Sequence, residues 1–211
     1  MKNINLTDIN SKPVTIEKAS LEDTEVAAVL TLMAYKDFAY DVFGTKNDEK
    51  VLYYFRELWK LDENRFSHKY SYIAKLDSKP VGLITCYPGV LVHKLITPTI
   101  KSIFKLGGLS FLWNVIIHIN YFYYFTKTTE AYSDEFYIGT LAVLTEYRSC
   151  GIGAKMINFA VSQGKLHRLK KCTLLVDAKN TAGIRFYESN GYKKVIHGKK
   201  PREYFKVAKE F

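Results

Sequence analysis

The sequence predicts an α/β domain, and three observations carry that expectation. Strand-like and helix-like stretches alternate along most of the chain, a turn-forming run near residue 78 separates two apolar stretches, and a strand near residue 140 passes through a glycine-bearing turn into an apolar-striped helix. The 211 residues are 47% hydrophobic and 25% charged, enough apolar mass for one sizeable core and one domain over 1–211. No Pro/Gly/Ser stretch is long enough to divide it, and disorder, collagen and coiled coil are excluded.

Val14 to Lys18 alternates apolar and polar residues as a strand does, and Ser20 with Asp23 has the spacing of a capping box opening a helix. Val26, Leu30, Met33 and Phe38 then fall near one helical face. A second helix is expected from about Asn47, because Val51, Leu52, Phe55, Leu58 and Trp59 recur at spacings of three and four. Ser71 to Leu76 and Val81 to Tyr87 flank Asp77-Ser78-Lys79-Pro80, a tight-turn composition, so a β-hairpin follows.

Residues 90–130 form an aromatic-rich helical insert. Thr97-Pro98 reads as an N-cap followed by a first helical residue, Gly107-Gly108 as a break, and Leu112, Val115, Ile116, Ile119, Phe122 and Tyr123 as an apolar stripe, giving two helices. The stripe either packs on the body, or its aromatics (Phe111, Trp113, Tyr121, Tyr124, Phe125) wall a substrate pocket or a partner surface. From Glu135 a strand returns through Phe136, Ile138, Leu141 and Val143. A helix from Ile152 to about Arg168, a strand Cys172 to Val176, a helix Asn180 to Asn190 and strands at Tyr192 to Ile196 and Tyr204 to Ala208 complete the order.

Net charge is +10, and residues 145–211 hold 15 Lys and Arg against five Asp and Glu, so all of the excess lies in the last third. That segment suits a polyanion such as nucleic acid, an acidic membrane surface or a phosphorylated small molecule, or forms a solvated basic face; charge alone does not choose. The apolar run Phe111 to Phe125 is broken by Asn114, His118 and Asn120 and is shorter than the roughly 18 to 20 residues of a membrane span. Met1 to Asn10 lacks the apolar region of a secretory signal, so a cytoplasmic, soluble protein is expected. Cys86, Cys150 and Cys172 make neither a CxxC pair nor a zinc-finger spacing, so no disulfide framework and no metal are expected.

The stretch from Leu141 to Ala154 carries the chemistry. A strand leading through Arg148-Ser149-Cys150-Gly151-Ile152-Gly153-Ala154 into a helix presents unpaired backbone N–H groups at a helix N-terminus. The glycines allow close approach to the main chain, Arg148 adds charge and the helix end favours anions, which together describe a pyrophosphate cradle. It has neither the Gly-x-Gly-x-x-Gly of dinucleotide folds nor the Gly-Lys-Ser/Thr ending of a Walker loop.

Arg148-x-x-Gly151-x-Gly153-Ala154 after the Leu-Ala-Val strand resembles the acyl-CoA motif of the GNAT N-acetyltransferase superfamily. Asn180-Thr181-Ala182-Gly183-Ile184-Arg185-Phe186-Tyr187-Glu188-Ser189-Asn190-Gly191-Tyr192 is similar to that family's Asn-x-x-Ala-x-x-Phe-Tyr-x-x-x-Gly-Phe segment, and the pairing is far more specific than either half. The likeness is close over residues 136–195, and residues 90–130 match nothing general in the family. It implies a GNAT-like fold, with a mixed central sheet of about six to seven strands, helices on both faces and a helical insert before the fourth strand.

The resemblance further implies acetyl-CoA as acyl donor, lying where the Leu141-Ala142-Val143 strand splays from Cys172 to Val176, with pantetheine on the main chain of Leu141 and Val143. Its pyrophosphate would sit on the N–H groups of Arg148, Ser149, Cys150, Gly151, Ile152, Gly153 and Ala154. A primary amine of a small molecule or peptide would attack directly, a strand N–H near Leu141 would hold the oxyanion, and Tyr187 would protonate the departing thiolate. Asn180 caps its helix and touches the cofactor, or caps only.

Ser149 and Cys150 stand where the family often has Arg, Lys or Gly, and Cys150 at a helix N-terminus is either redox-sensitive or a plain loop residue. The family's strand carboxylate falls on Tyr137, so Glu135 and Tyr137 are nominated together as general base; otherwise Glu135 is an exposed strand-end carboxylate. His93 and His118 of the insert could also reach the pocket. The alternative function is a non-catalytic acyl-CoA-binding or interaction module. No nucleic acid and no membrane span are expected as partners, and a homodimer is left open.

Overall fold

The computed structural model describes residues 13–117, 129–198 and 203–211. Seven strands form one sheet in the order β1-β2-β3-β4-β5-β7-β6, with β1 Val14–Lys18, β2 Ser71–Leu76, β3 Lys79–Pro88, β4 Glu135–Val143, β5 Lys171–Asp177, β6 Lys193–Gly198 and β7 Tyr204–Glu210. Only β4 and β5 pair in parallel; every other neighbouring pair is antiparallel. The helices are α1 Thr24–Phe43, α2 Asp48–Lys60, α3 Gly89–Ile117, α4 Ile152–Leu166 and α5 Thr181–Ser189.

Local signals place the element ends. The Ser20–Asp23 capping box forms, but it opens a short 3-10 turn (Leu21–Asp23) that leads into α1. Asn47 caps α2 through Oδ1, which accepts the Lys50 N–H at 3.0 Å. The hairpin turn is only two residues long. Asp77 and Ser78 both have positive φ (49° and 62°), as a right-handed strand twist demands of such a turn, and Lys79 and Pro80 already belong to β3.

The insert keeps the expected break at Gly107-Gly108 but departs from expectation at Thr97-Pro98. Pro98 does not open a helix; it lies inside α3, which begins at Gly89 and is bent at Gly108, where φ is 56° and ψ −143°. The Pro98 ring removes one helical N–H, and next to it the Thr99 hydroxyl donates to the Leu95 carbonyl at 2.5 Å. Phe111 is buried and Ile116 is exposed. The expected stripe beyond residue 117, with His118, Tyr121, Tyr124 and Phe125, lies outside the described residues, as do the side chains of Leu112, Trp113 and Val115.

Helices cover both faces of the sheet. On one, Met156, Ile157 and Ala160 of α4 and Ile184 of α5 pack on Ala74, Val81, Ile84, Phe136, Ile138, Cys172, Leu174 and Val207. On the other, Ala27 and Leu30 of α1 and Trp59 of α2 pack on Ile73, Leu83 and Ala142, while α1, α2 and α3 share Phe43, Phe55, Leu58, Ile103 and Phe111. At roughly 1.5–3 kcal/mol for each fully buried large apolar side chain, these two layers hold the sheet rigid between them. No described helix is long and apolar enough to cross a membrane.

Candidate active site

The site exists because two paired strands part. β4 and β5 pair only at Glu135–Lys171, Phe136–Cys172 and Tyr137–Thr173, so from Ile138 onward the β5-facing edge of β4 is open. On its other edge β4 continues against β3 to Val143, with a bulge at Gly139 where Thr85 opposes Thr140 and Cys86 opposes Ile138. The Gly139 carbonyl accepts the Tyr35 hydroxyl at 2.6 Å, which fixes the bulge against α1 just before the kink at Lys36. A cavity of about 1140 Å³ fills the gap, and Gly139 to Val143, Leu174 to Asp177, α5 and the kinked part of α1 line it.

At one end lies the turn into α4. Arg148 is pinned by its Nε, which donates to the Val143 carbonyl at 3.2 Å, and Ser149 and Gly151 take positive φ (63° and 73°). The first helical bond is Lys155 N–H to the Gly151 carbonyl, and Gly151 supplies no side-chain cap. The N–H groups from Ser149 to Ala154 therefore have no partner among the described residues, and Arg148, Ser149, Gly151, Ile152, Gly153 and Ala154 all line the cavity. Those unpaired donors fit a diphosphate, as the helix end does.

Two readings of this turn change. Cys150 is buried in the core, its Sγ 3.4 Å from the Arg148 carbonyl, so its side chain does not face the cavity and only its main chain can contribute there. Gly153 lines the cavity with its main chain, but its missing side chain serves packing: a Cβ there would lie 3.0 Å from Phe186 Cζ, so its glycine lets α4 seat against α5. Gly151, by contrast, has open space around it and the left-handed backbone that favours glycine.

Across the gap, α5 brings Asn180, Ala182, Gly183, Phe186 and Tyr187 to the cavity wall. Asn180 Oδ1 accepts the Gly183 N–H at 2.8 Å, so the cap is present at the cavity's edge. Tyr187 is half-buried, edge-on to Phe186 and Tyr192, and its phenol has no hydrogen bond among the described residues. Burial pushes that phenol's pKa up, with the neighbouring Tyr35 adding to the effect, so it stays a proton donor throughout the neutral range.

The nominated bases fare differently. Glu135 does not reach the cavity and is not exposed either. It is 1% exposed at the still-paired start of β4, where Lys206 meets it at 2.7 Å without the alignment of a hydrogen bond and Lys171 at 3.3 Å. The Tyr132 N–H and the Thr173 hydroxyl also donate to it. Burial raises its pKa, but Lys206, the Tyr132 N–H and Lys171 outweigh that and hold the carboxyl below its ordinary value. Tyr137 does line the cavity, yet its hydroxyl donates to Glu130 Oε2 at 2.6 Å, and burial beside that carboxylate holds the phenol well above its usual range, which makes it a poor base. His93 is exposed and does not line the cavity.

Glu130, Arg65 and Tyr35 escape sequence reasoning. Arg65 grips Glu130 with both terminal nitrogens and donates through Nε to the Tyr87 hydroxyl at 3.3 Å. Burial works against the charge of each partner. The pairing wins, leaving Glu130 below its ordinary pKa and Arg65 above. One signal was available: Glu130 is the lone acid among residues 89–133.

Residues 34–192 match the model of the acetyltransferase (GNAT) family. An uncharacterised N-acetyltransferase of Methanocaldococcus jannaschii is 23% identical over 189 residues, 89% of this chain, and the chain spans 65% of that relative's length. An N-acetyltransferase of Staphylococcus aureus Mu50 superposes with a TM-score of 0.72 at 20% identity, covering 92% of this chain and all of that one. PaiA N-acetyltransferase of Thermoplasma acidophilum, solved with coenzyme A, gives 0.55 at 17% identity over 94% of this chain and 99% of its own. With more than half of its length under the family model, and with the parted strands and the cradle that its two motifs build, the chain belongs to the GNAT acetyltransferase family.

Proposed function

We propose that the protein is an acetyl-CoA-dependent N-acetyltransferase that acetylates a primary amine of a small molecule or peptide by direct attack. One observation carries this reading: where β4 and β5 part after Tyr137 and Thr173, one cavity is lined together by Ser149 and Gly151 to Ala154, whose N–H groups have no partner among the described residues, by the open edge of β4 and by Tyr187. The diphosphate rests on the cradle, with Arg148 adding positive charge. The pantetheine amides take the place of the missing β5 partners beside Leu141, Ala142 and Val143, and Asn180 borders the same path.

The amine nitrogen bonds to the thioester carbon, a β4 N–H near Leu141 stabilises the oxyanion, and the carbon–sulfur bond breaks as the Tyr187 proton moves to sulfur. The nitrogen's surplus proton leaves to water in the cavity and the phenol is reprotonated from the same water, so protons and electrons balance. This water relay replaces Glu135 and Tyr137 as the base.

Tyr187→Phe tests the reading. It removes one oxygen and keeps the ring contacts with Phe186 and Tyr192. Thiol release from acetyl-CoA with an amine acceptor is expected to slow by about 100-fold or more, the usual loss for a general acid, while calorimetric CoA affinity holds. Wild-type turnover in that variant removes Tyr187 from the mechanism.

A further inference from the structure

The cavity continues past Tyr187. Beyond the Gly139 bulge an arm runs between α1, α2 and α3, and its walls are aromatic. Tyr35, bonded to the Gly139 carbonyl, stands at its start; its ring meets Phe66 at 5.5 Å, Phe66 meets Phe55 at 5.3 Å, and Phe55 meets Phe43 at 5.4 Å. Ile103 and Phe111 of α3 close the other side, and all six face the cavity.

The ionic groups on this arm cancel. Arg65 and Glu130, with side chains 11% and 4% exposed, neutralise each other, and Tyr137 adds a third hydrogen bond to the carboxylate. Lys36 and Asp37, of opposite charge at the kink of α1, also line the cavity but are solvent-exposed, apart from the buried aromatic walls. A second ammonium on a substrate would therefore lose its hydration here and meet no free counter-charge. An apolar body would gain from every methylene it buried.

Resting on the acetyltransferase reading above, we propose that the acceptor is a monoamine with an apolar alkyl or arylalkyl body, and that the aromatic arm selects it over polyamines and charged peptides. The competing occupant is a long acyl chain on the donor. The Arg65–Glu130 pair favours the amine. A carboxylate offers about four lone-pair sites and three of Glu130's are filled among the described residues; with its charge already neutralised by Arg65, the fourth can accept an N–H of the neutral attacking amine but does not compensate a second ammonium, and a polymethylene chain cannot use it.

The test titrates CoA-loaded protein calorimetrically with n-propyl-, n-butyl-, n-pentyl- and n-hexylamine, and runs the same amines as acceptors with acetyl-CoA. Affinity and kcat/KM should each rise about fourfold per added methylene, the fold-change equivalent to about 0.8 kcal/mol, and spermidine should do no better than propylamine. Ile100→Glu, at a cavity-lining position 39% exposed, should flatten the rise while CoA still titrates as in the wild type, which reports an intact fold. A wild-type series without slope overturns the proposal. So does a rise with donor length from acetyl- to octanoyl-CoA at fixed propylamine, which would give the arm to the acyl chain. Chain-length-dependent amine binding without any transfer would instead sink the acetyltransferase reading and uphold the ligand class.

Discussion

Gly153→Ala separates two reasons for a glycine in the cradle, room for a phosphate or room for a helix. A methyl there would press on Phe186, 3.0 Å from Cζ and 3.4 Å from Cε2. Overpacking of this kind costs about 1–3 kcal/mol, and Ala returns up to about 1 kcal/mol of helix propensity over Gly. A net loss of about 1 kcal/mol in urea unfolding is expected. Phe186 moves with α5, which carries Tyr187 and is capped by Asn180, so CoA affinity should also fall, by about fivefold for a comparable cost. Phe186→Leu withdraws the end of the ring at a cost of about 1 kcal/mol of its own. In the double variant the two losses should not add, leaving a coupling of about 1 kcal/mol and recovering most of the CoA affinity. Calorimetry decides the matter: if the double variant binds CoA no better than Gly153→Ala alone, the methyl blocks the ligand and the packing argument is wrong.

The two buried carboxylates give further predictions. Glu130→Gln leaves the Arg65 charge uncompensated and should destabilise the fold by about 3 kcal/mol or more in denaturant titration. Because the folded state holds Glu130 below its ordinary pKa, its contribution is complete above about pH 5 and drains away as pH falls through the depressed value. The acid limb of stability should accordingly be shallower in Glu130→Gln than in the wild type, and an unchanged limb would show that the pair is not what titrates. Glu135→Gln strands Lys206, which is 1% exposed, so it too should lower stability by about 3 kcal/mol. Its pH–rate profile should match that of the wild type; a lost limb in kcat would restore Glu135 as a base.

What was legible in the sequence was local or periodic. The caps at Ser20 and Asn47, the hairpin at Asp77-Ser78 and the turn into α4 depend on neighbours within a few positions, so residue type reveals them directly. The Arg65–Glu130 pair joins residues 65 apart, and Tyr35 reaches Gly139 across 104 positions. No periodicity encodes such meetings; only the completed sheet brings them together. Pro98 sits inside α3 for a related reason, since a proline that would break an isolated helix is tolerated where Leu95 and Thr99 are buried against the body.

Glu135 shows most clearly where counting along a strand fails. Alternation assigns it the same side of β4 as Tyr137, and both do interact with β5-side neighbours. What a strand pattern does not carry is the point at which pairing stops. Glu135 sits two residues before the last rung, opposite Lys171, so its surroundings are a closed sheet and two lysines rather than a cleft. Tyr137 occupies that last rung and reaches the cavity, but Glu130 already holds its proton in a hydrogen bond. Beyond it the β5-facing edge of β4 is open and lines the same cavity as Tyr187, so the proposed reaction is left to main-chain donors and a phenol, with no carboxylate of the strand.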